Sequence, residues 1–203
     1  MAAKFKPLTN EELISIWQKA VDTQMHFNEM SVKSRQLGLT FVAASLGLAV
    51  VLLSKGEAFS IEFWGWQIHV AVLLVVAAAM SMTAVRMLDL NVYHKMLRGA
   101  VAFGEDLEQT HLLSILSLNK GMTQAISHFS RFSDARVTVE NGNYTYGGND
   151  KKSAFDKLNR FYNIVISTLF GVAAALLIQT NWSQVQSLFL ALKSWLLYFS
   201  GGH

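Results

Sequence analysis

Three stretches of this chain contain no Asp, Glu, Lys or Arg: Gln36 to Ser54, Phe63 to Val85, and Phe161 to Leu192. In a hydrocarbon solvent each backbone N–H and C=O has to be satisfied inside its own segment. A long uncharged apolar run therefore reads as a membrane-spanning helix. At the helical rise the first two runs reach about 28 and 35 Å, against a bilayer core of about 30 Å. The third, longer than one span needs, is interrupted by the polar run Gln179-Thr180-Asn181-Trp182-Ser183-Gln184. The sequence thus predicts an all-α integral membrane protein with three transmembrane helices, cytosolic helical extensions, a small β-hairpin and a C-terminal interfacial helix.

The segments that follow are residues 1–35 as a cytosolic helix, 36–88 as a transmembrane hairpin with spans 36–54 and 63–85, and 89–160 as a cytosolic helical region. A third span covers 161–179, and 182–200 lies at the outer interface. A fourth span there would bring Lys193 near mid-bilayer, at a cost of about 2.5 to 3.5 kcal/mol on insertion scales, so an interfacial helix flanked by Trp182, Trp195 and Tyr198 fits better. Of the 17 Lys and Arg, all but Lys55 and Lys193 fall on one side of this topology. That asymmetry predicts a multi-pass membrane protein with a cytoplasmic N-terminus. The start, Met1-Ala2-Ala3-Lys4, does not resemble a cleavable signal peptide, and Gly201-Gly202-His203 carries no reading.

Outside the spans, Thr9 and Glu12 form a capping-box pattern ahead of Leu13, Trp17, Ala20 and Val21 on one helical face. Neither Pro nor Gly follows until Gly38, which predicts one rod from about residue 10 to 54. Phe63, Trp64 and Trp66 make an aromatic belt at the outer interface. Leu88, Val92, Met96, Ala100 and Phe103 continue helical spacing beyond the second span, and Leu107, Leu112, Leu113, Ile115, Leu116 and Leu118 extend it. These faces are expected to bury one another in a small bundle. Asn141-Gly142 is the preferred centre of a two-residue type I′ turn, so residues 136–146 read as a β-hairpin. It pairs Val137 with Tyr146 and Val139 with Tyr144 on one face, and these four are candidate contacts for a neighbouring subunit or a cytosolic partner. Gly147 to Ser153 is a linker.

Chemistry is sparse. There is no cysteine, no His pair at metal-ligand spacing, no phosphate loop, no dinucleotide glycine pattern, no nucleophile elbow and no partnered carboxylate pair. His69, near the outer end of the second span, reads as an interfacial histidine. The expectation is no catalytic residue, no metal and no cofactor, hence no enzyme. Residues 89–160 carry nine basic and eight acidic residues without a basic stripe, which argues against direct nucleic-acid binding. The spans hold small residues in pairs four apart: Ala43 and Gly47, Ala77 and Ser81, Gly171 and Ala175. Such pairs allow close helix contact, within the chain or between copies in a homo-oligomer. Intramembrane acids and broken helices, which coupled transporters use, are missing.

The stretch Gln24-Met25-His26-Phe27-Asn28 before the first span, and Asp89-Leu90-Asn91-Val92-Tyr93-His94-Lys95-Met96-Leu97-Arg98-Gly99-Ala100 after the second, is similar to segments of small bacterial membrane proteins. The layout, two spans continuing into cytosolic helices, resembles the SLATT-type membrane effectors encoded with antiphage systems. That resemblance implies an oligomer that perturbs the inner membrane after a cytosolic signal. The function expected is a regulated pore or membrane-perturbing effector, its partners the lipid bilayer and further copies of itself. The alternative is a membrane anchor or scaffold that recruits a cytosolic protein through residues 104–160.

Overall fold

The computed structural model describes residues 8–151 and 154–200; the start of the chain up to Pro7, linker residues Lys152 and Ser153, and Gly201-Gly202-His203 lie outside the described residues. The chain separates into two compact units. One comprises the chain up to Gln36 together with Val85–Phe161, and the other comprises Leu37–Ala84 and the chain from Tyr162 onward. The divisions fall within a residue or two of where charged side chains cease.

Helix α1 is a single rod, Asn10–Leu53, 44 residues and so about 66 Å long. Its start is the expected capping box. The Thr9 N–H donates to Glu12 Oε2 at 2.7 Å, and the Glu12 N–H returns a bond to Thr9 Oγ1 at 3.3 Å. Helix α2 runs Val70–Leu116 over 47 residues. It is jointed by two π-helical turns, Asp89–Tyr93 and Glu108–Leu112, and ends at Ser117, which takes the left-handed conformation at φ 52°. Helices α3 (Met122–Arg131), α4 (Ala154–Thr180) and α5 (Trp182–Ser200) follow. Among the described residues three helices, α1, α2 and α4, are long and apolar enough to cross a membrane.

The apolar unit packs on a narrow seam. Val42, Ser45 and Ala49 of α1, Ala71, Val75, Ala78, Ala79 and Met82 of α2, and Leu169 and Ala173 of α4 are buried. Alanines in the seam permit close backbone approach, while large side chains such as Phe41, Leu48, Leu73 and Phe170 lie outside it.

The run from Phe63 does not enter the helix at once. Ser60–Phe63 (β1) and Trp66–His69 (β2) form an antiparallel hairpin, and α2 starts only at Val70. Residues 63–69 thus belong to the connection rather than to the helix of a span 63–85. The pairs Ile61 with Ile68 and Phe63 with Trp66 alternate with Ser60–His69 and Glu62–Gln67, a period of two that only strands can satisfy. The turn is Trp64-Gly65, both at positive φ, 53° and 76°. A bulky side chain in that region costs about 1 to 3 kcal/mol. His69 is buried, accepts the Ala71 N–H on Nδ1 at 3.1 Å, and donates from Nε2 to the Gly56 carbonyl at 3.1 Å. It therefore caps the start of α2.

At the elbow between α4 and α5 stands Asn181, 3% exposed. Its Oδ1 accepts the Gln67 N–H and its Nδ2 donates to the Gln67 carbonyl, both at 2.8 Å, so a side-chain amide pairs with the strand as another strand would. Gln184 Nε2 donates to the Gly65 carbonyl beside it. Asn181→Ala strands the Gln67 N–H and leaves its carbonyl only the long bond from Thr180 Oγ1 at 3.4 Å. It is expected to lower stability by about 1 to 3 kcal/mol; thermal unfolding in detergent and faster exchange of the Gln67 amide are the measurements that check it.

Candidate functional site

The charged unit is built round two buried carboxylates, each the first residue of a π-helical turn in α2. A π-turn widens the helix by one residue and so turns a side chain toward a neighbouring element, a device often found at functional positions. Asp89, 1% exposed, accepts from Ser31 Oγ on one oxygen and from Arg35 Nε at 2.8 Å on the other. Arg35 also donates to Ser31 Oγ, closing a three-membered ring of contacts between α1 and α2.

Glu108, also 1% exposed, has no cation against it among these contacts. Oε1 accepts the Trp17 indole N–H at 2.9 Å and the Thr123 N–H at 2.8 Å, and Oε2 accepts the Gln124 N–H at 3.0 Å. The carboxylate thereby caps the N-terminus of α3, where free N–H groups and the helix dipole favour an anion. Gly121 just before α3 has φ −75°, open to any residue, so space rather than backbone freedom requires a glycine there. An added Cβ would sit 2.7 Å from Glu108 Cγ and nearer still to the carboxyl.

Two concavities flank this core. A groove of about 420 Å³ lies between α1 and α2, lined by Ile16, Ala20, Phe27, Met96, Ala100 and Phe103. A second, about 390 Å³, is lined by Glu105, Asp106, Lys120, Gln124, His128 and Arg131. In it Arg131 holds Glu105 at 3.1 Å. Signs are mixed throughout, so the second hollow offers no net field for a charged ligand. Leu88, Val92, Met96 and Phe103, expected to be covered within a bundle, are exposed instead. Helical spacing identifies a shared face but not what covers it. The buried side of α2 here is the one bearing Leu90, Gly104, Leu107, Glu108 and Leu112.

The hairpin at 136–147 has the expected register and turn. Strands β3 (Arg136–Glu140) and β4 (Asn143–Gly147) pair Val137 with Tyr146 and Val139 with Tyr144, and Asn141 and Gly142 adopt φ 51° and 79°. Its base is fixed. His128 lies edge-on to the Tyr146 ring and donates to the Gly147 carbonyl at 3.1 Å, Lys120 stands over Tyr146, and Asp134 accepts the N–H groups of Asn149 and Asp150. Its far end is free of the unit. Val139 and Tyr144 are exposed, whereas Val137 and Tyr146 are half-buried.

Of the small residues in the apolar unit, Ala43, Gly47, Ala77, Gly171 and Ala175 are exposed and Ser81 is half-buried. Nothing lies within 4 Å of a Cβ placed on Gly47 or Gly171. They sit off the seam that packs the chain on itself. Among the described residues no three His, Asp or Glu side chains gather as a metal would require. Sequence reasoning missed Asp89, Glu108 and Asn181. The available signal for Glu108 was an acid beside Leu107 on an apolar helical face, with a glycine thirteen residues on. No family model, curated protein or solved structure matches the chain.

Gly121→Ala is expected to cost about 1 to 3 kcal/mol through overpacking. In a Glu108→Ala background the penalty should shrink by at least about 0.5 kcal/mol, the coupling expected of groups in contact; a double-mutant cycle by chemical denaturation measures it. Hydrogen bonds from the Asn149 and Asp150 N–H groups hold the Asp134 carboxyl below the usual aspartate range. The tie is therefore fully present above the unfolded value, about 3.9, and is lost as pH falls through the lower folded one. The Asn149 amide proton should titrate with a midpoint below that value, and Asp134→Asn should abolish the transition.

Proposed function

We propose that the chain is a multi-pass protein of the bacterial inner membrane, N-terminus cytoplasmic, that assembles with itself and acts as a regulated pore or membrane-perturbing effector. The charged unit is its cytosolic sensor. The observation that carries this reading is helical continuity. Helix α1 runs without a break through the end of its charges at Arg35 into the uncharged run, and α2 continues from an uncharged segment to Leu116. No linker interrupts either helix between its charged and uncharged parts. Two further features support it. Charge is absent from the three runs, and exposed small residues on α1, α2 and α4 remain available for close contact with another copy. An antiphage setting follows only from the resemblance in layout.

Reconstituted vesicles should release a trapped ion on activation, and the protein in nanodiscs should have a mass of several chains. Gly171→Leu, which meets open space within one copy, should leave the fold intact but reduce both the assembled fraction and the flux. A monomer and a tight bilayer under all conditions would overturn the reading. The second reading, an anchor that recruits a soluble protein, is favoured by the exposed Val139 and Tyr144 on a hairpin whose base is fixed. Under it, Val139→Ser with Tyr144→Ser abolishes recovery of that protein with the full chain, and no conductance accompanies binding.

A further inference from the structure

Among the described residues two hairpins share the same two-residue turn, and the turns differ in one residue. Asn141-Gly142 and Trp64-Gly65 have φ values of 51° and 79° against 53° and 76°. Asparagine is the residue this conformation prefers, because its short amide tolerates positive φ; tryptophan is not. Trp64 nevertheless occupies the position, 91% exposed, its one ring contact a stack on Phe63 with centroids 5.5 Å apart. Neither the turn nor the packing of this chain accounts for a tryptophan there. What it faces must.

The faces of the hairpin say what that is. Ile61 with Ile68 and Phe63 with Trp66 make one side wholly apolar, while Glu62 with Gln67 and Ser60 with His69 make the other polar. Ile61 and Phe63 are more than half exposed. The hairpin is held at a fixed place by Asn181, which brings the exposed Trp182 to the same end of the unit. It occupies the connection between the uncharged part of α1 and the start of α2. An apolar sheet face edged by tryptophans, next to the ends of apolar helices, matches the boundary between lipid headgroups and acyl chains, where an indole buries its ring and keeps its N–H in water.

We propose that the β1–β2 hairpin is a lipid-binding element: its Ile61, Phe63, Trp66 and Ile68 face lies in the headgroup–acyl boundary, with Trp64 as the anchor at its tip. This rests on the membrane reading above, but not on which side of the membrane the hairpin occupies. A soluble partner or a second copy covering the same face is the competing occupant.

The absence of cysteine makes single-cysteine spin labelling of the full chain unambiguous. Labels are placed at Ile61→Cys, Glu62→Cys and Leu73→Cys in phosphatidylcholine–phosphatidylglycerol vesicles, and collision with oxygen is compared with collision with a water-soluble nickel chelate. Leu73, exposed on α2, reports on the membrane reading itself. The expected ratio of oxygen to nickel collisions is above one at Leu73 and Ile61 and below one at Glu62. Adding Trp64→Asn, which installs the ordinary turn residue and so preserves the fold, should bring the Ile61 ratio below one. A lipid-exposed Leu73 with a water-exposed Ile61 overturns the hairpin proposal alone. A water-exposed Leu73 overturns the membrane reading. An Ile61 label shielded from both reagents means that protein covers the face, and an Ile61 ratio indifferent to Trp64→Asn removes the anchor; either overturns the proposal.

Discussion

Backbone amides at the ends of elements need partners, and in this chain side chains supply them at each decisive junction. Thr9 and Glu12 close the start of α1, His69 the start of α2, and Glu108 the start of α3. Asp134 takes the two N–H groups at the foot of the second hairpin, and Asn181 takes both polar groups of Gln67. An unpaired buried backbone group costs as much as a lost hydrogen bond. Six side chains therefore decide where these helices begin and how the connections are held.

These ties divide by reach, and so does what could be read in advance. The Thr9–Glu12 box and the Asn141-Gly142 hairpin are local: each is defined by residues within a few positions, and both the cap and the register are as the sequence implies. The long rod of α1 is legible for the same reason, since no Gly or Pro interrupts its first half. Glu108 with Trp17 is a pair 91 positions apart, and Asn181 with Gln67 is 114 apart. Nothing in either residue's neighbourhood names its partner. The first hairpin was hidden differently, inside an uncharged run whose composition suits helix and strand alike. Only the alternation of Ile61, Phe63, Trp66 and Ile68 against Ser60, Glu62, Gln67 and His69 separates the two, and the tryptophan at the turn conceals the usual signal.

The outward faces follow from the same logic. In the apolar unit the seam is made by residues such as Ala49, Ala78 and Ala173, leaving Gly47 and Gly171 outside. In the charged unit the helical stripe through Leu88, Val92, Met96 and Phe103 stays uncovered because the side of α2 bearing Asp89, Glu108 and Leu112 is already committed inward. A helix has one face for each partner it meets. Met96 and Phe103 of that stripe line the groove toward α1, beside Ile16, Ala20 and Phe27.

The two rods of the charged unit are not mechanically alike. Helix α1 is uninterrupted, whereas α2 carries a π-turn at Asp89 and another at Glu108. Each inserts one residue relative to regular α-helix, so each can in principle be relieved by a one-residue change of register, equivalent to a rotation of about 100° of everything beyond it. What opposes that relief is the buried acid at the head of each turn: Asp89 bound to Ser31 and Arg35 of α1, Glu108 bound to Trp17 and the start of α3. Releasing either acid means taking a carboxylate from its donors inside a poorly hydrated site, which is costly. The joints are thus locked in the state described, and the key to each is held by α1.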